Sequence, residues 1–507
     1  MFTRKVSTDV SYLCCAKKLL SMGPLIYPQF ATHNAHTIAA ILAIAGDKSD
    51  YEFQRLHGMG ERLYELLRER FPVRCRIYAP VGKHKDLLAY LVRRLLENGA
   101  NSSFVNQIVD LDVPLAKLTQ DPFKELLALD DELISSELIP SPSQLFYPER
   151  INSRGWDLHD YLDIQELESE RAPFLTSQWQ ATPLIAGSFQ GGSEVVITNP
   201  ANSSDTVGEV IQASESDVLT AVNAAKPWDH IEANQRADIL LTVANLYEDN
   251  MGELAAVLSR EAGKTTNDVV AEVREAVDFL RYYSAQAKLH AANKARGVFT
   301  CISPWNFPLA IFTGQISAAL AAGNAVLAKP AETTPLVAFL AISLFHKAGV
   351  PKATLQLLPG LGKTVGEMLV SAQSVNGVCF TGSTATGLRI NRSMAENTAP
   401  DAPLIAETGG LNAMIVDSSA LPEQAVTDII RSSFHSAGQR CSALRLLYLQ
   451  EDIFDDVLEM LLGATDELCI ANPWDLSTDI GPLISAEAQQ SVQSYICLLY
   501  TSDAADE

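Results

Sequence analysis

The amino-acid sequence predicts an α/β protein with two regions of parallel β-sheet separated by an irregular connecting segment. Strand-like and helix-like runs alternate over residues 1–112, as in RCRIYAPVG followed by LLAYLVRRLLENGA. The alternation returns from about residue 173, through GVFTCISPWNFP, NAVLAKP, TLQLLPG and GVCFTGS. Because crossover helices join parallel strands in this way, the pattern predicts two α/β domains.

Composition indicates a globular protein and argues against nucleic acid as a partner. The 507 residues are 47% hydrophobic, enough to bury large cores, and the net charge is −23. Phosphate binding needs clustered Lys and Arg, which this charge balance does not favour. The eight cysteines include no pair at the spacing of zinc or redox motifs, so no metal site is expected. The N-terminus has no secretory signal, and a cytoplasmic location is expected.

A helix predicted over 87–106 carries the first candidate binding residues. Tyr90, Arg93, Arg94 and Glu97 are spaced to share one helix face. Two arginines on one face could hold a substrate carboxylate through charge-assisted bonds. A solvated salt-bridge face between these arginines and Glu97 is the alternative.

The charge balance changes after residue 112. Residues 1–112 carry 15 basic and 11 acidic side chains, whereas residues 113–172 carry 5 basic and 13 acidic side chains. Five prolines interrupt this second stretch, at 114, 122, 140, 142 and 148. The sequence therefore predicts a linker arm over 113–172.

Two motifs in the second domain are placed to bind a nucleotide. KPAE follows the apolar strand NAVLA, so Lys329 and Glu332 lie at a strand's carboxyl end, where open α/β sheets bind ligands. FTGS places Gly382 and Ser383 at a strand-to-helix turn, where backbone N–H groups can meet a pyrophosphate.

Three further residues are candidates for chemistry. Cys441 lies among small residues in SAGQRCSA, which leaves a thiol approachable, although such a cysteine can also be a buried structural residue. Glu407 in LIAETGG is expected to project from a strand end, although a solvated or helix-capping carboxylate is the alternative. Asn306 stands between the two prolines of PWNFP, which suits an amide fixed toward an oxyanion, and a plain proline turn is the alternative.

Two segments resemble phosphate-binding loops but lack the first glycine of the motif. PGLGKT at 359–364 has Leu357 where the first glycine of the motif belongs, and EAGKT at 261–265 has Leu258 there. A nucleotide hydrolase is therefore not expected.

PWNFP, KPAE, FTGS, ETGG and GQRCSA, in this order, resemble the aldehyde dehydrogenase superfamily. The resemblance implies an NAD-binding domain over 173–407 and the start of a catalytic domain over 408–496. It implies that Cys441 is the nucleophile, Asn306 an oxyanion donor and Glu407 the general base. The other implied roles are ribose contacts for Lys329 and Glu332, a pyrophosphate contact for Gly382 and Ser383, and a substrate-carboxylate contact for Ser442.

The front of the chain resembles the flavin-dependent proline dehydrogenase barrel, through YPQFATHNAHT, EFQRLHGMGE, RIYAPVG and the helix at 87–106. The resemblance implies that residues 1–112 are the C-terminal part of a (β/α)8 barrel. Arg93 and Arg94 would bind the carboxylate of proline. The residues expected to pack its ring are Leu56, Tyr78 and Tyr90, and those expected beside FAD are Thr32, His33 and Asn34.

A proline dehydrogenase joined through NSRG at 152–155 to an aldehyde dehydrogenase is the arrangement of the bifunctional proline utilization A family. The resemblance implies oxidation of proline to glutamate in two steps. FAD would pass electrons to quinone in the first, and NAD would oxidise glutamate γ-semialdehyde in the second. The complete protein would be a homo-oligomer with possible peripheral membrane contact. The alternative is an NAD-binding fragment without turnover.

The sequence departs from the family pattern at both ends. It begins inside the barrel, so the FAD site is expected to be incomplete. CLLYTSDAADE at 497–507 matches nothing in the family pattern and is interpreted as an artefactual tail. We therefore expect little or no activity from the chain as written.

Overall fold

The computed structural model describes residues 2–99, 104, 107, 110, 112–129, 135–136 and 138–501. The chain divides into two compact units, unit 1 at residues 1–141 and unit 2 at residues 142–507. The segment 113–172 is thus shared between the units, with residues 142–172 in the second.

Unit 1 contains a three-stranded parallel sheet in the order β1-β2-β3. Its strands are β1 (Gln29–Ala31), β2 (Glu52–Leu56) and β3 (Cys75–Tyr78). The α-helices among its described residues are Lys5–Ser21, Ala35–Ala45, Glu61–Arg70, His84–Gly99, Leu115–Leu118 and Pro122–Leu127. One helix separates each strand from the next, so the parallel alternation predicted for this region is confirmed.

Aromatic side chains form the centre of the unit 1 core. Phe53 on β2 is fully buried and packs edge to face against Tyr51 and Tyr64, with ring centroids 5.7 and 6.3 Å apart. Phe30 on β1 lies 5.9 Å from Tyr51 in a similar arrangement. These contacts attach β1 and β2 to the helix Glu61–Arg70.

The described residues of unit 2 form three sheets. A three-stranded sheet has the order β4-β6-β5, with β4 (Trp179–Ala181), β5 (Glu194–Asn199) and β6 (Asn202–Ile211). A five-stranded sheet follows, made of β7 (Val298–Ile302), β8 (Ala325–Lys329), β9 (Leu355–Leu357), β10 (Val375–Gly382) and β11 (Leu404–Thr408). A parallel pair completes the set, with β12 (Asn412–Val416) and β13 (Leu444–Leu449).

The helices of unit 2 surround these sheets. They are Tyr161–Arg171, Glu215–Ala224, Ala233–Asp249, Met251–Ala262, Thr266–Leu289, Ala310–Ala321, Pro335–Lys347, Glu367–Val370, Thr384–Asn397, Pro422–Phe434, Phe454–Asp466 and Ala486–Thr501. No helix in the described part of the chain is long and apolar enough to cross a membrane.

The five-stranded sheet is parallel throughout and has the order β11-β10-β7-β8-β9. From the central strand β7 the chain first adds β8 and β9 on one side, then returns to add β10 and β11 on the other. This is a doubly wound order, and it reverses between β7 and β10. Ligands of such sheets bind in the crevice beyond the carboxyl ends of the strands at the reversal.

Candidate active site

A cavity of about 1120 Å³ lies beyond the carboxyl ends of β7, β8, β10 and β11. It brings together seven residues singled out from the sequence, which are Asn306, Lys329, Glu332, Gly382, Ser383, Glu407 and Cys441. Ser442 is exposed and is not among the described residues that line this cavity. The motifs thus converge on one site although they are spread over 135 positions of sequence.

Lys329 is the last residue of β8, and its side chain is only 4% exposed. Its ammonium group donates to the carbonyl of Pro330 at 3.1 Å. Burial lowers the pKa of Lys329 to about 8, although the carboxylate of Glu332 opposes this shift. A buried ammonium with a single hydrogen bond to a carbonyl can still donate to ligand hydroxyl groups.

Glu332 stands at the same end of the cavity. Its Oε1 accepts a 2.6 Å hydrogen bond from the backbone N–H of Gly362. This bond fixes one carboxylate oxygen and leaves the other able to accept from a ligand.

Ser383 is the N-cap of the helix Thr384–Asn397, and its Oγ accepts from the N–H of Thr386 at 3.2 Å. Gly382 precedes it, and a Cβ at this glycine would lie 2.7 Å from the ring of Phe380. Ser383, Thr384 and Thr386 line the cavity, so the N-terminus of this helix faces it. An anionic group is favoured at such a position.

Cys441 is exposed and lines the same cavity. Its carbonyl accepts from Asn412 Nδ2 at 2.8 Å, and the same amide donates to the carbonyl of Ala443 at 2.9 Å. The first residue of β12 therefore holds the backbone on both sides of Ser442. The thiol itself stays accessible from the cavity.

The segment before Cys441 has an unusual backbone. Ser436, Ala437 and Gly438 all lie in the left-handed region, with φ of 55°, 54° and 67°. For a residue other than glycine this conformation costs roughly 1–2 kcal/mol. At Gly438, a Cβ would also lie 2.8 Å from the carbonyl oxygen of Ser433. We call residues 435–441 the thiol loop.

Asn306 follows β7 and is tied to the thiol loop. Its Nδ2 donates to the carbonyl of Gln439 at 2.8 Å. Gln439 is two residues before Cys441, so this bond holds the Asn306 amide beside the thiol loop. Glu407, near the end of the edge strand β11, is exposed and stands opposite Thr381 of β10. The structure thus places an amide donor and a carboxylate on the same cavity as the thiol.

Sequence reasoning missed a buried ionic cluster beside the thiol loop. Its members are Lys264, Asp268 and Glu272, with exposures of 2%, 3% and 1%. Lys264 belongs to EAGKT, a segment whose sequence indicates only an incomplete phosphate-binding loop. Asp268 and Glu272 share one face of the helix Thr266–Leu289, a spacing that signals a charged face but not what it contacts.

The residues singled out in unit 1 also gather at strand ends. Thr32, His33 and Asn34 follow β1, whereas Leu56 and Tyr78 end β2 and β3. His33 Nε2 accepts from the N–H of Leu56 at 3.2 Å, and Asn34 caps the helix Ala35–Ala45. Burial lowers the pKa of His33, with smaller contributions from Arg55 and Arg94.

The helix His84–Gly99 adds the remaining side chains of that group. The rings of Tyr78 and Tyr90 lie 6.3 Å apart, and the guanidinium of Arg94 lies 5.5 Å from the ring centre of Tyr90. Arg93 is exposed. The side chain of Glu97, which the salt-bridge alternative requires, lies outside the described part of the structure.

Across the described residues of both units, no three His, Cys, Asp or Glu side chains come together as metal ligands would.

Comparison with known proteins agrees with this geometry. Residues 189–504 match the aldehyde dehydrogenase family, and residues 1–107 match proline dehydrogenase. The bifunctional protein PutA of Klebsiella aerogenes is 51% identical over 518 residues, covering 98% of this chain. The alignment spans only 40% of the length of that relative.

Solved structures show the same relationship. A mutant of proline utilization A from Bradyrhizobium japonicum matches 99% of this chain and 50% of its own, with a TM-score of 0.81 and 45% identity. The 1-pyrroline-5-carboxylate dehydrogenase from Thermus with bound NAD matches 68% of this chain and 72% of its own, with a TM-score of 0.64 and 30% identity. The chain therefore belongs to the aldehyde dehydrogenase family. A proline dehydrogenase segment precedes its aldehyde dehydrogenase region, as in the proline utilization A proteins.

Proposed function

We propose that unit 2 oxidises an aldehyde to a carboxylic acid through a thioester on Cys441, with NAD as the acceptor. The observation that carries the proposal is a single cavity at the sheet reversal. A thiol, an amide, a carboxylate and the groups suited to a dinucleotide all line this one cavity. Covalent oxidation of an aldehyde needs all of these.

The first step is attack of the Cys441 sulfur on the aldehyde carbon, which forms a C–S bond and moves the carbonyl electron pair onto oxygen. The amide of Asn306 lies beside the thiol loop and would donate to that oxyanion. When bound, NAD supplies the acceptor for the hydride that leaves the tetrahedral carbon. Cys441 is then left as a thioester.

The second step is hydrolysis of the thioester. Glu407 would accept a proton from water, whose oxygen adds to the thioester carbon, and Cys441 leaves as a thiolate. The exposed position of Glu407 at the end of β11 gives its carboxylate access to water. The products are the carboxylic acid, the reduced nicotinamide and a proton.

The residues present fit NAD. Lys329 and Glu332 retain hydrogen-bonding capacity for ribose hydroxyl groups, because each uses only part of it within the protein. Gly382 and Ser383 line the cavity, and the capped helix after Ser383 presents N–H groups to a pyrophosphate. Ser442, which lies next to the nucleophile, is proposed to contact the carboxylate of the substrate.

We propose L-glutamate γ-semialdehyde, the open form of 1-pyrroline-5-carboxylate, as the substrate, and glutamate as the product. The support is similarity to the Thermus 1-pyrroline-5-carboxylate dehydrogenase and to PutA proteins over nearly the whole chain. Unit 1 is proposed to belong to the preceding oxidation of proline, with FAD as cofactor and quinone as electron acceptor.

For unit 1 we propose that Thr32, His33 and Asn34 face FAD. Arg93 and Arg94 would hold the carboxylate of proline, beside a ring site formed by Leu56, Tyr78 and Tyr90. All lie at the carboxyl ends of β1–β3 or on the helix that follows, which is where parallel α/β barrels bind their ligands.

The test combines turnover with NAD binding. The 507-residue protein is mixed with NAD and glutamate γ-semialdehyde, and NADH formation is followed by its absorbance. Cys441→Ala should abolish NADH formation and leave the NAD affinity within a few fold, because the substitution removes the nucleophile and not the nucleotide contacts. Cys469→Ala, an exposed cysteine of the same unit, is the matched control.

Full turnover by Cys441→Ala would contradict the proposal. NAD binding without any NADH formation by the unsubstituted chain would favour the alternative of a nucleotide-binding fragment. Quenching of tryptophan fluorescence gives the affinity, since Trp305 lines the cavity.

A further inference from the structure

The thiol loop needs an external support, because its backbone is unfavourable by itself. Two of its three consecutive left-handed residues, Ser436 and Ala437, are not glycine. Such conformations persist only where the surrounding structure imposes them. Ser436 is buried, so the supporting contacts come from the protein interior.

Asp268 bridges the two ends of this turn. Its Oδ2 accepts from the N–H of Ser436 at 3.1 Å, and its Oδ1 accepts from Arg440 Nη2 at 2.6 Å. Thr265 Oγ1 donates to the same carboxylate at 3.1 Å. One buried carboxylate thus holds both the start of the left-handed turn and the residue immediately before Cys441.

Lys264 links the thiol loop to the oxyanion side of the cavity. Its Nζ donates to the carbonyl of Asn306 at 2.5 Å and to Ser436 Oγ at 3.2 Å. The ammonium also lies 3.0 Å from Glu272 Oε2. The other oxygen of Glu272 accepts from the backbone N–H of Leu309 at 2.9 Å, just before the helix Ala310–Ala321.

The buried ionic cluster acts from behind the site. Lys264, Asp268 and Glu272 are not among the described residues that line the cavity, whereas Asn306, Arg440 and Cys441 are. Lys264 and Asp268 therefore have no route to the substrate and can act only through the residues they hold. Burying charged groups is costly unless they are paired. The buried charges of the cluster therefore depend on their hydrogen bonds to the thiol loop, and the loop depends on the same bonds for its conformation.

We propose that Lys264 and Asp268 are positioning residues that set the placement of Cys441 relative to the Asn306 amide. The inference deepens the proposed function and rests on it for the chemical role of Cys441. A misplacement of reacting groups by about 1 Å can reduce the rate about 100-fold.

The first measurement is hydrogen exchange of the thiol loop, which does not depend on turnover. In Asp268→Asn, the carboxylate acceptor becomes an amide that places a donor against Arg440 or Ser436. Exchange in a peptide covering 435–443 should become at least about tenfold faster, while the rest of unit 2 exchanges as before.

Asp217→Asn is the matched control for Asp268→Asn. Asp217 is likewise buried, and it is also the third residue of its helix after a hydroxyl N-cap, Ser214. Its carboxylate accepts backbone N–H groups of residues 190, 191 and 214, which do not line the cavity among the described residues. Asp217→Asn should therefore leave the hydrogen exchange of the thiol loop unchanged.

The second measurement separates positioning from a structural role. Lys264→Met and Asp268→Asn should each lower kcat about 100-fold and leave the dissociation constant of NAD within about twofold. Lys264→Arg retains the cation and should recover most of the rate lost in Lys264→Met. Asp217→Asn should keep the kcat of the unsubstituted protein.

Equal loop exchange in Asp268→Asn and Asp217→Asn would overturn the inference, as would a normal kcat in Lys264→Met. If Asp268→Asn does not fold, the comparison of Lys264→Met with Lys264→Arg decides. An unsubstituted chain that binds NAD and forms no NADH would favour the alternative of a nucleotide-binding fragment, and loop exchange would still decide whether Asp268 orders the thiol loop.

Discussion

Lys329 offers a direct test of the electrostatics of the nucleotide end of the cavity. Burial lowers its pKa from 10.5 to about 8, so the charged form is less favourable in the folded protein than in the unfolded chain. One pKa unit corresponds to about 1.4 kcal/mol, and the shift therefore amounts to about 3 kcal/mol of destabilisation. Lys329→Met removes the charge and keeps the length of the side chain.

The sign of the pH dependence follows from the lowered pKa. Below pH 8 both states carry the proton and the destabilisation is complete. Between pH 8 and 10.5 the folded state loses its proton first, so the free energy of unfolding contributed by Lys329 rises with pH. Lys329→Met should thus be more stable than the unsubstituted protein by up to about 3 kcal/mol at pH 7, with a smaller difference at pH 10.

Urea unfolding followed by tryptophan fluorescence measures this effect, since all five tryptophans lie in unit 2. The exposed Lys352→Met is the control and should show no such gain. Lys329→Met should also bind NAD more weakly, because it lacks the ammonium group proposed to donate to the ribose. A variant less stable than the unsubstituted protein at pH 7, or a gain that does not shrink by pH 10, would refute this account of Lys329.

Three further outcomes are expected. Glu407→Gln should give a burst of NADH equal to about one per chain followed by little turnover, because acylation needs no base for water; a steady rate equal to that of the unsubstituted protein would contradict the role. Glu332→Gln should shift the ratio of NADP to NAD affinity toward NADP by roughly tenfold in a binding titration, because a carboxylate at the ribose repels a 2′-phosphate; an unchanged ratio would place Glu332 elsewhere. Gly208→Ala should lower the thermal midpoint of unit 2, because the new Cβ would lie 2.1 Å from the carbonyl oxygen of Trp179 on the neighbouring strand; an unchanged midpoint would show that β4 yields freely.

Much of the nucleotide end of the site could be predicted from the sequence, because its residues follow strands directly. Lys329 ends β8 and Gly382 ends β10, and the ends of parallel strands meet at one edge of a sheet. Local rules were sufficient there. The N-cap role of Ser383 likewise follows from its position at a strand-to-helix turn.

The support of the thiol loop could not be predicted in this way. The loop accepts a hydrogen bond from Lys264 and donates two to Asp268, and these bonds join residues 168 to 172 positions apart, which no periodicity of the sequence indicates. The left-handed conformations of Ser436 and Ala437 also run against local preference, since neither is glycine. They arise from tertiary contacts that outweigh the intrinsic preference of the backbone.

The reversal of strand order in the five-stranded sheet also bears on the order in which the site can form during synthesis. The central strand β7 leaves the ribosome before β8 and β9, which can pair with it at once over short chain separations. The other half of the crevice waits for β10 and β11, and Cys441 follows only after another 33 residues beyond Thr408. Contacts between distant parts of the chain form slowly, so the Cys441 thiol should reach its place in the cavity only after the residues that end β7, β8 and β10 have reached theirs.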